Sequence, residues 1–105
     1  MLKKAQKILH KHKCEVLNTP QNQKLITVIT PTYNSEKFLN KTINSVIDQS
    51  IGFDKLQLIL IDDCSSDNTK KIIKEFTQKY NNICGIFLFE NTGTPATPRN
   101  IGIEL

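Results

Sequence analysis

Four short polar clusters in this sequence carry side chains able to hold a ligand, and each follows an apolar run or opens a helical one. They are Pro31-Thr32-Tyr33-Asn34, the adjacent carboxylates Asp62 and Asp63, the Asn91-Thr92-Gly93-Thr94 segment, and Arg99. Their types suit a nucleoside diphosphate. The Pro31–Tyr33 turn, with Thr32 at its centre, offers backbone groups and an aromatic ring to a base. A carboxylate at Asp63 accepts from a base imide N–H or a ribose hydroxyl. Arg99 supplies a planar cation for a phosphate oxygen, and a helix N-terminus beside it adds free N–H groups. Each residue also has an ordinary reading. A turn tyrosine caps a core edge, Asp residues hold loop amides (Asp62 in particular), an Arg on a helix is solvated, and Asn and Gly make turns. A site follows only if the four clusters share one place.

The elements between them predict that they do. Leu25–Thr30 is β-branched and apolar, a buried strand broken at Pro31–Asn34. Ser35 reads as a helix N-cap with Glu36 in the first turn, and Phe38, Leu39, Ile43, Val46 and Ile47 share one helical face. Leu56–Ile61 is a second strand, followed by the Asp62–Asp67 loop with Ser66 or Asp67 as a cap. Ile72, Ile73, Phe76 and Tyr80 form the next helical stripe, Ile83–Phe89 is a third strand, and a third helix opens at Pro95. This alternation predicts an α/β fold, a Rossmann-like half-sheet of parallel strands joined by right-handed crossovers. The first strand is expected to lie interior in a complete domain, with the later two stacked outward on one side. Ligands of such sheets sit beyond the carboxyl ends of the strands, where all four clusters fall.

Composition narrows the class. A chain of 105 residues makes one small domain. No apolar run approaches the roughly 20 residues needed to cross a bilayer. The opening lysines lead into His10-Lys11-His12-Lys13 rather than into a secretory apolar stretch, so the expected location is cytoplasmic. The net charge of +4 is unevenly placed: residues 1–13 hold five lysines and no acid, so removing their +5 leaves the rest at −1. Residues 1–23 therefore read as a basic N-terminal helix and polar linker, separate from a body at 24–105. That appendage is either a solvated or frayed leader or a basic helix resting on an anionic membrane surface or a partner. A nucleic-acid-binding domain would spread its cations along a folded face with aromatics interleaved, and that pattern is missing. Cys14, Cys64 and Cys84 have no C-x-x-C or Cys/His spacing, and His10 and His12 would point to different helix faces, which argues against a metal site among them.

Taken together and in order, Ile26–Asn34, Leu58–Asp67, Asn91-Thr92-Gly93 and Pro98–Gly102 resemble glycosyltransferase family 2, over about residues 24–105. The resemblance implies a GT-A-type domain that binds a nucleotide-sugar donor. It assigns Pro31 and Tyr33 to the base pocket, with Thr32 among the nucleotide-binding residues, Asp63 to the base (typically uracil), Asp62 to a supporting place, and Arg99 to the base and diphosphate. Cys64 stands where the family usually has glycine or another small residue. The implied reaction is an inverting, single-displacement sugar transfer. Its implied acceptor is a cell-envelope polysaccharide, teichoic-type polymer or lipid-linked glycan. The family also uses a later Asp-x-Asp motif for a divalent metal, Mg or Mn, and a further carboxylate as general base. No Asp-x-Asp occurs in this sequence. The expectation is therefore an N-terminal half-domain, truncated before the metal-binding motif, with no catalytic residue or metal ligand of its own and a first strand whose open edge pairs with another copy.

Three other readings are open. A non-catalytic nucleotide-binding or interaction module would keep the same fold. A receiver-type signalling domain would place its acidic pair after the opening strand, whereas here the pair follows the second. A nucleotidyltransferase would carry a glycine-rich, basic phosphate loop after the opening strand, and this chain has none.

Overall fold

The computed structural model describes residues 14–20, 26–49, 52–94, 97, 99, 100 and 103. Four strands, β1 (Cys14–Leu17), β2 (Ile26–Thr32), β3 (Leu56–Asp62) and β4 (Ile83–Leu88), form one sheet in the order β1-β4-β3-β2. β2 is parallel to β3, β3 is parallel to β4, and β1 runs antiparallel to β4. Helices α1 (Leu39–Ile47) and α2 (Thr69–Lys79) are the crossovers, and a 3₁₀ turn at Phe53–Lys55 leads into β3. Residues 97, 99, 100 and 103 have helical backbone.

β3 lies between two parallel neighbours and is buried along its whole length, which is why its sequence is almost unbroken in apolar residues. Because each crossover steps in the same direction, both helices cover one face of the sheet. There Leu39 and Ile43 of α1 and Ile73 of α2 pack on Leu58, Leu60, Ile83 and Phe87. The opposite face gathers Ile59, Ile61, Cys84, Ile86 and Leu88, joined by Cys14, Val16 and Ile29. α2 comes so close to β4 that a Cβ on Gly85 would lie 2.8 Å from Cγ2 of Ile73.

The expected order of the three parallel strands holds, with the later two stacked to one side of β2. Other expectations need correction. Cys14–Leu17 is a strand of this sheet, so a helical appendage reaching through Leu17 is ruled out, and the body begins earlier than residue 24. Its alternation places Cys14 and Val16 on one face. Glu15 lies on the other, against Lys70 and Lys74 of α2 at 3.7 and 3.5 Å. Asn18 then fastens the segment: from a left-handed backbone (φ 60°), its amide nitrogen lies 2.8, 3.1 and 2.9 Å from the carbonyl oxygens of Thr77, Tyr80 and Ile83. The rest of the basic segment, residues 1–13, lies outside the described residues.

β2 also continues through Pro31 and Thr32 rather than breaking at the proline. The Thr32 carbonyl accepts from the Asp63 amide at 2.9 Å, so Thr32 faces β3 and the nitrogen of Pro31 faces away from it. The missing N–H therefore removes no ladder bond, as is usual for an edge-strand proline. Ser35 starts the first helical turn through its carbonyl, which accepts from Phe38 and Leu39 at 3.0 and 2.9 Å, while its hydroxyl turns back to Tyr33. Phe38 precedes the helix proper and is 70% exposed, so it does not belong to the buried face.

Candidate functional site

The carboxyl ends of β2, β3 and β4 open onto one hollow of about 660 Å³, within the size range of small-molecule sites. Pro31, Thr32 and Tyr33 line it from the end of β2, Asp63 and Cys64 from the loop after β3, and Asn91, Gly93 and Thr94 from the loop after β4. Tyr33 is 53% exposed, leaving its ring open to a planar partner. Three of the four clusters therefore meet. Arg99, exposed on helical backbone beyond them, is not among the lining residues.

The two adjacent acids point into different surroundings. Asp62 is buried at 1% exposure and serves the rim. Its carboxylate accepts from the Thr32 hydroxyl at 2.9 Å, the Ser65 amide at 3.0 Å and the Ser65 hydroxyl. These bonds tie the end of β2 to the loop after β3, and Asp62 does not line the hollow. Asp63, 4% exposed, does line it. One of its oxygens accepts from the Thr92 amide at 2.9 Å and the other from the Thr92 hydroxyl at 3.0 Å. Each carboxylate oxygen keeps a further acceptor site after one hydrogen bond. A donor entering the hollow can use that capacity.

A second tier of residues, which the sequence reading placed only in loops and caps, fixes the rim. Asn34, in a left-handed conformation at φ 47°, accepts on its side-chain oxygen from the Ser66 amide at 2.8 Å, and the Asp67 amide points at the same atom from 3.4 Å. The Asn34 amide donates to the Ser65 hydroxyl at 2.8 Å, and the Ser35 amide to the Thr69 hydroxyl at 2.7 Å. Asp67 accepts from Thr69 and Glu36 amides at 2.9 and 3.3 Å, so of the two cap candidates it is Asp67 that meets the first turn of α2. Desolvation works against the Asp67 charge. The bonds from the Thr69 hydroxyl and amide and from the Glu36 and Asp67 amides outweigh it, holding the carboxyl below its ordinary 3.8. The signal for this lacing was the run Ser65-Ser66-Asp67-Asn68-Thr69, rich in short side chains that bond to nearby backbone. Its partners lie some 30 residues away, which no local pattern reveals.

Across the hollow, the Asn91 side chain bridges the Asp63 carbonyl (3.1 Å) and the Gly93 amide (2.6 Å). Gly93 has φ 79°, a conformation that glycine adopts without strain. Cys64 also sits at positive φ (61°), with its exposed thiol donating to the Phe89 carbonyl at 3.4 Å.

No group of three or more His, Cys, Asp or Glu able to hold a metal ion occurs among the described residues. Among the described residues Asp63 is the one carboxylate lining the hollow, and each of its oxygens already accepts one hydrogen bond from Thr92. The residues here do not fit a divalent-metal centre. Among the described residues no helix is long and apolar enough to cross a membrane.

The sequence profile described as Glycosyl transferase family 2 matches residues 27–105. Among curated proteins, the minor teichoic acid biosynthesis protein GgaB of Bacillus subtilis (strain 168) is 43% identical over 79 residues, covering 74% of this chain and 9% of that protein. The poly(ribitol-phosphate) beta-N-acetylglucosaminyltransferase TarS of Staphylococcus aureus (strain Mu50 / ATCC 700699) is 36% identical over 78 residues, 74% of this chain and 13% of its own length. Among solved structures, S. aureus TarS 1-349 in complex with UDP-GlcNAc superposes with a TM-score of 0.69 at 35% identity, over 75% of this chain and 22% of that one. This chain thus spans less than a quarter of each of these relatives.

Proposed function

This chain belongs to glycosyl transferase family 2 and has the GT-A type of α/β architecture, and on that premise we propose that its hollow receives the nucleotide of a UDP-sugar in an inverting transfer to a cell-envelope polymer of the teichoic type. The observation that carries this reading is the convergence of Pro31, Thr32, Tyr33 and Asp63 on one hollow at the carboxyl end of the parallel strands. Within it the Tyr33 ring takes the base face and the Asp63 carboxylate accepts from the base imide N–H. Arg99 approaches the diphosphate once the donor is bound. The relatives' part in teichoic acid biosynthesis and poly(ribitol-phosphate) glycosylation supports the polymer acceptor, and the TarS complex with UDP-GlcNAc supports a uridine donor. The divalent metal, Mg or Mn, and the general base that the family uses belong to the whole enzyme.

Calorimetric titration of UDP into this chain, with and without Mn²⁺, tests the reading. The expected result is saturable binding that Asp63→Ala weakens by about tenfold or more, since hydrogen bonds to a charged group contribute about 1.5–3 kcal/mol. A folded sample that binds no UDP, or binds it equally well without Asp63, contradicts the donor site and favours a non-catalytic module of the same fold.

The lysine-rich residues 1–13 make peripheral contact with anionic lipid at the inner face of the membrane, so salt-sensitive co-sedimentation with anionic vesicles is expected and its absence would remove the idea. The exposed start of β2, at the sheet edge among the described residues, supports self-association by strand pairing. Light scattering should then show dimers or larger species, and a uniform monomer contradicts it.

A further inference from the structure

Thr92 is the residue on which the Asp63 carboxylate is mounted. Its amide and its hydroxyl each engage a different oxygen of that group, at 2.9 and 3.0 Å. An Asp carboxylate on its own rotates broadly about its terminal bond. Two donors from one residue, one to each oxygen, set its plane, the single hydroxyl proton being shared with the Thr94 carbonyl at 3.1 Å. Thr92 is itself held by the loop: Asn91 bonds back to the Asp63 carbonyl and to the Gly93 amide, and Gly93 turns the chain at positive φ. The loop after β4 thus closes on the loop after β3 through a single acid and a single threonine.

Resting on the reading that the hollow takes a nucleoside diphosphate, we propose that Thr92 is a positioning residue that sets base selectivity by holding Asp63 with only lone pairs turned to the base. Each carboxylate oxygen accepts one bond from Thr92 and keeps a further acceptor site, and with the plane fixed it is an acceptor that the group turns to the hollow. The complementary base edge is one with a ring N–H, as in uracil. Cytosine presents a ring-nitrogen lone pair at the same place and is repelled. A site built to hydrogen-bond a donor rejects the analogue that lacks it, because its own buried acceptor is left unpaired. Without the hydroxyl clamp the carboxylate plane swings and this discrimination relaxes.

The test is calorimetry of UDP and CDP with this chain and its variants, read as the ratio of the two affinities. Thr92→Val keeps the backbone N–H and the side-chain shape but removes the hydroxyl. It is expected to weaken UDP about tenfold with CDP little changed, and Thr92→Ser is expected to keep the wild-type ratio. A Thr92→Val ratio equal to the wild type, or UDP and CDP weakened together as for a merely structural defect, overturns the inference while leaving the nucleotide site standing. A wild-type chain that binds UDP and CDP equally also overturns it. A folded wild-type chain that binds neither removes the donor site itself, and the inference falls with it.

If Thr92→Val does not fold, Asp63→Asn carries the test. Thr92 would orient the carboxamide with its oxygen on the Thr92 amide and one N–H on the Thr92 hydroxyl, turning the second N–H toward the base. The preference should then invert toward CDP, and a retained UDP preference overturns the inference.

Discussion

Asp62 and Asp63 are adjacent in the chain, yet their side chains serve different loops. Asp62 binds back to Thr32 and Ser65, and Asp63 binds forward to Thr92. Removing each should therefore fail in a different way. Asp62→Ala leaves the buried Thr32 hydroxyl with only a long 3.5 Å contact to the Ile61 carbonyl and removes the acceptor of two half-buried Ser65 donors, and should cost on the order of 3 kcal/mol in a denaturant melt, since each buried unsatisfied group costs about 1–3 kcal/mol. Asp63→Ala leaves only rim donors, which water can reach, and should lower stability less while weakening UDP more. Equal losses of stability in the two variants would contradict this division. Asp67 gives the site a pH signature. Its carboxyl is held below its unfolded value by hydrogen bonds to the charged form, so its contribution is present above pH 3.8 and is lost as pH falls through the folded value. Asp67→Asn should flatten the stability profile on the acid side, with wild type and variant converging at low pH. A parallel offset at every pH would show that the charge is not what matters. None of these assignments could be made from residue types, because an Asp beside an Asp reads alike until its partners in Thr32 and Thr92 are known.

At the scale of elements, the strands with continuous apolar runs were legible and the short one was not. Cys14-Glu15-Val16-Leu17 has four residues, one of them charged, and its partner β4 lies some 70 positions on. Local pattern could only weigh it as the tail of a basic helix. What makes it a strand is non-local: pairing with Gly85–Leu88, the Glu15 contacts to Lys70 and Lys74, and Asn18 at the end of α2. Asn18→Ala should therefore destabilise the chain by about 1–3 kcal/mol, because helix-end carbonyls lose their donor. A change within a few tenths would return residues 14–18 to the status of a loose leader. Gly85, whose significance no local pattern revealed, lets α2 approach β4. The cysteines also separate by element. Burial, reinforced by the nearby Cys14, pushes the Cys84 thiol up to about 12, whereas Cys64 is exposed on the rim. Native alkylation at pH 8 should label Cys64 and spare Cys84, and equal labelling would mean the sheet opens readily. Because the folded state favours the protonated Cys84, its contribution to stability is full below pH 9 and declines as pH rises toward 12.

At the scale of the molecule, the described residues form a four-stranded sheet in which parallel β2, β3 and β4 bring three loops to one end, and this parallel part could be read from periodicity and punctuation. Parallel strands with helical crossovers bring every strand-to-helix loop to the same rim. Residues as far apart as Tyr33, Asp63 and Thr94 become neighbours by topology alone. Arg99 was harder to place, since it lies beyond the last described strand and no pairing fixes its position. Whether these loops form one nucleotide site is tested most directly by a backbone amide NMR titration of this chain with UDP. Shifts confined to Thr32, Tyr33, Asp63, Cys64, Thr92, Gly93 and Thr94, saturating together at one affinity, are the predicted result. Perturbations centred elsewhere on the sheet, or separate affinities for the three loops, would contradict it.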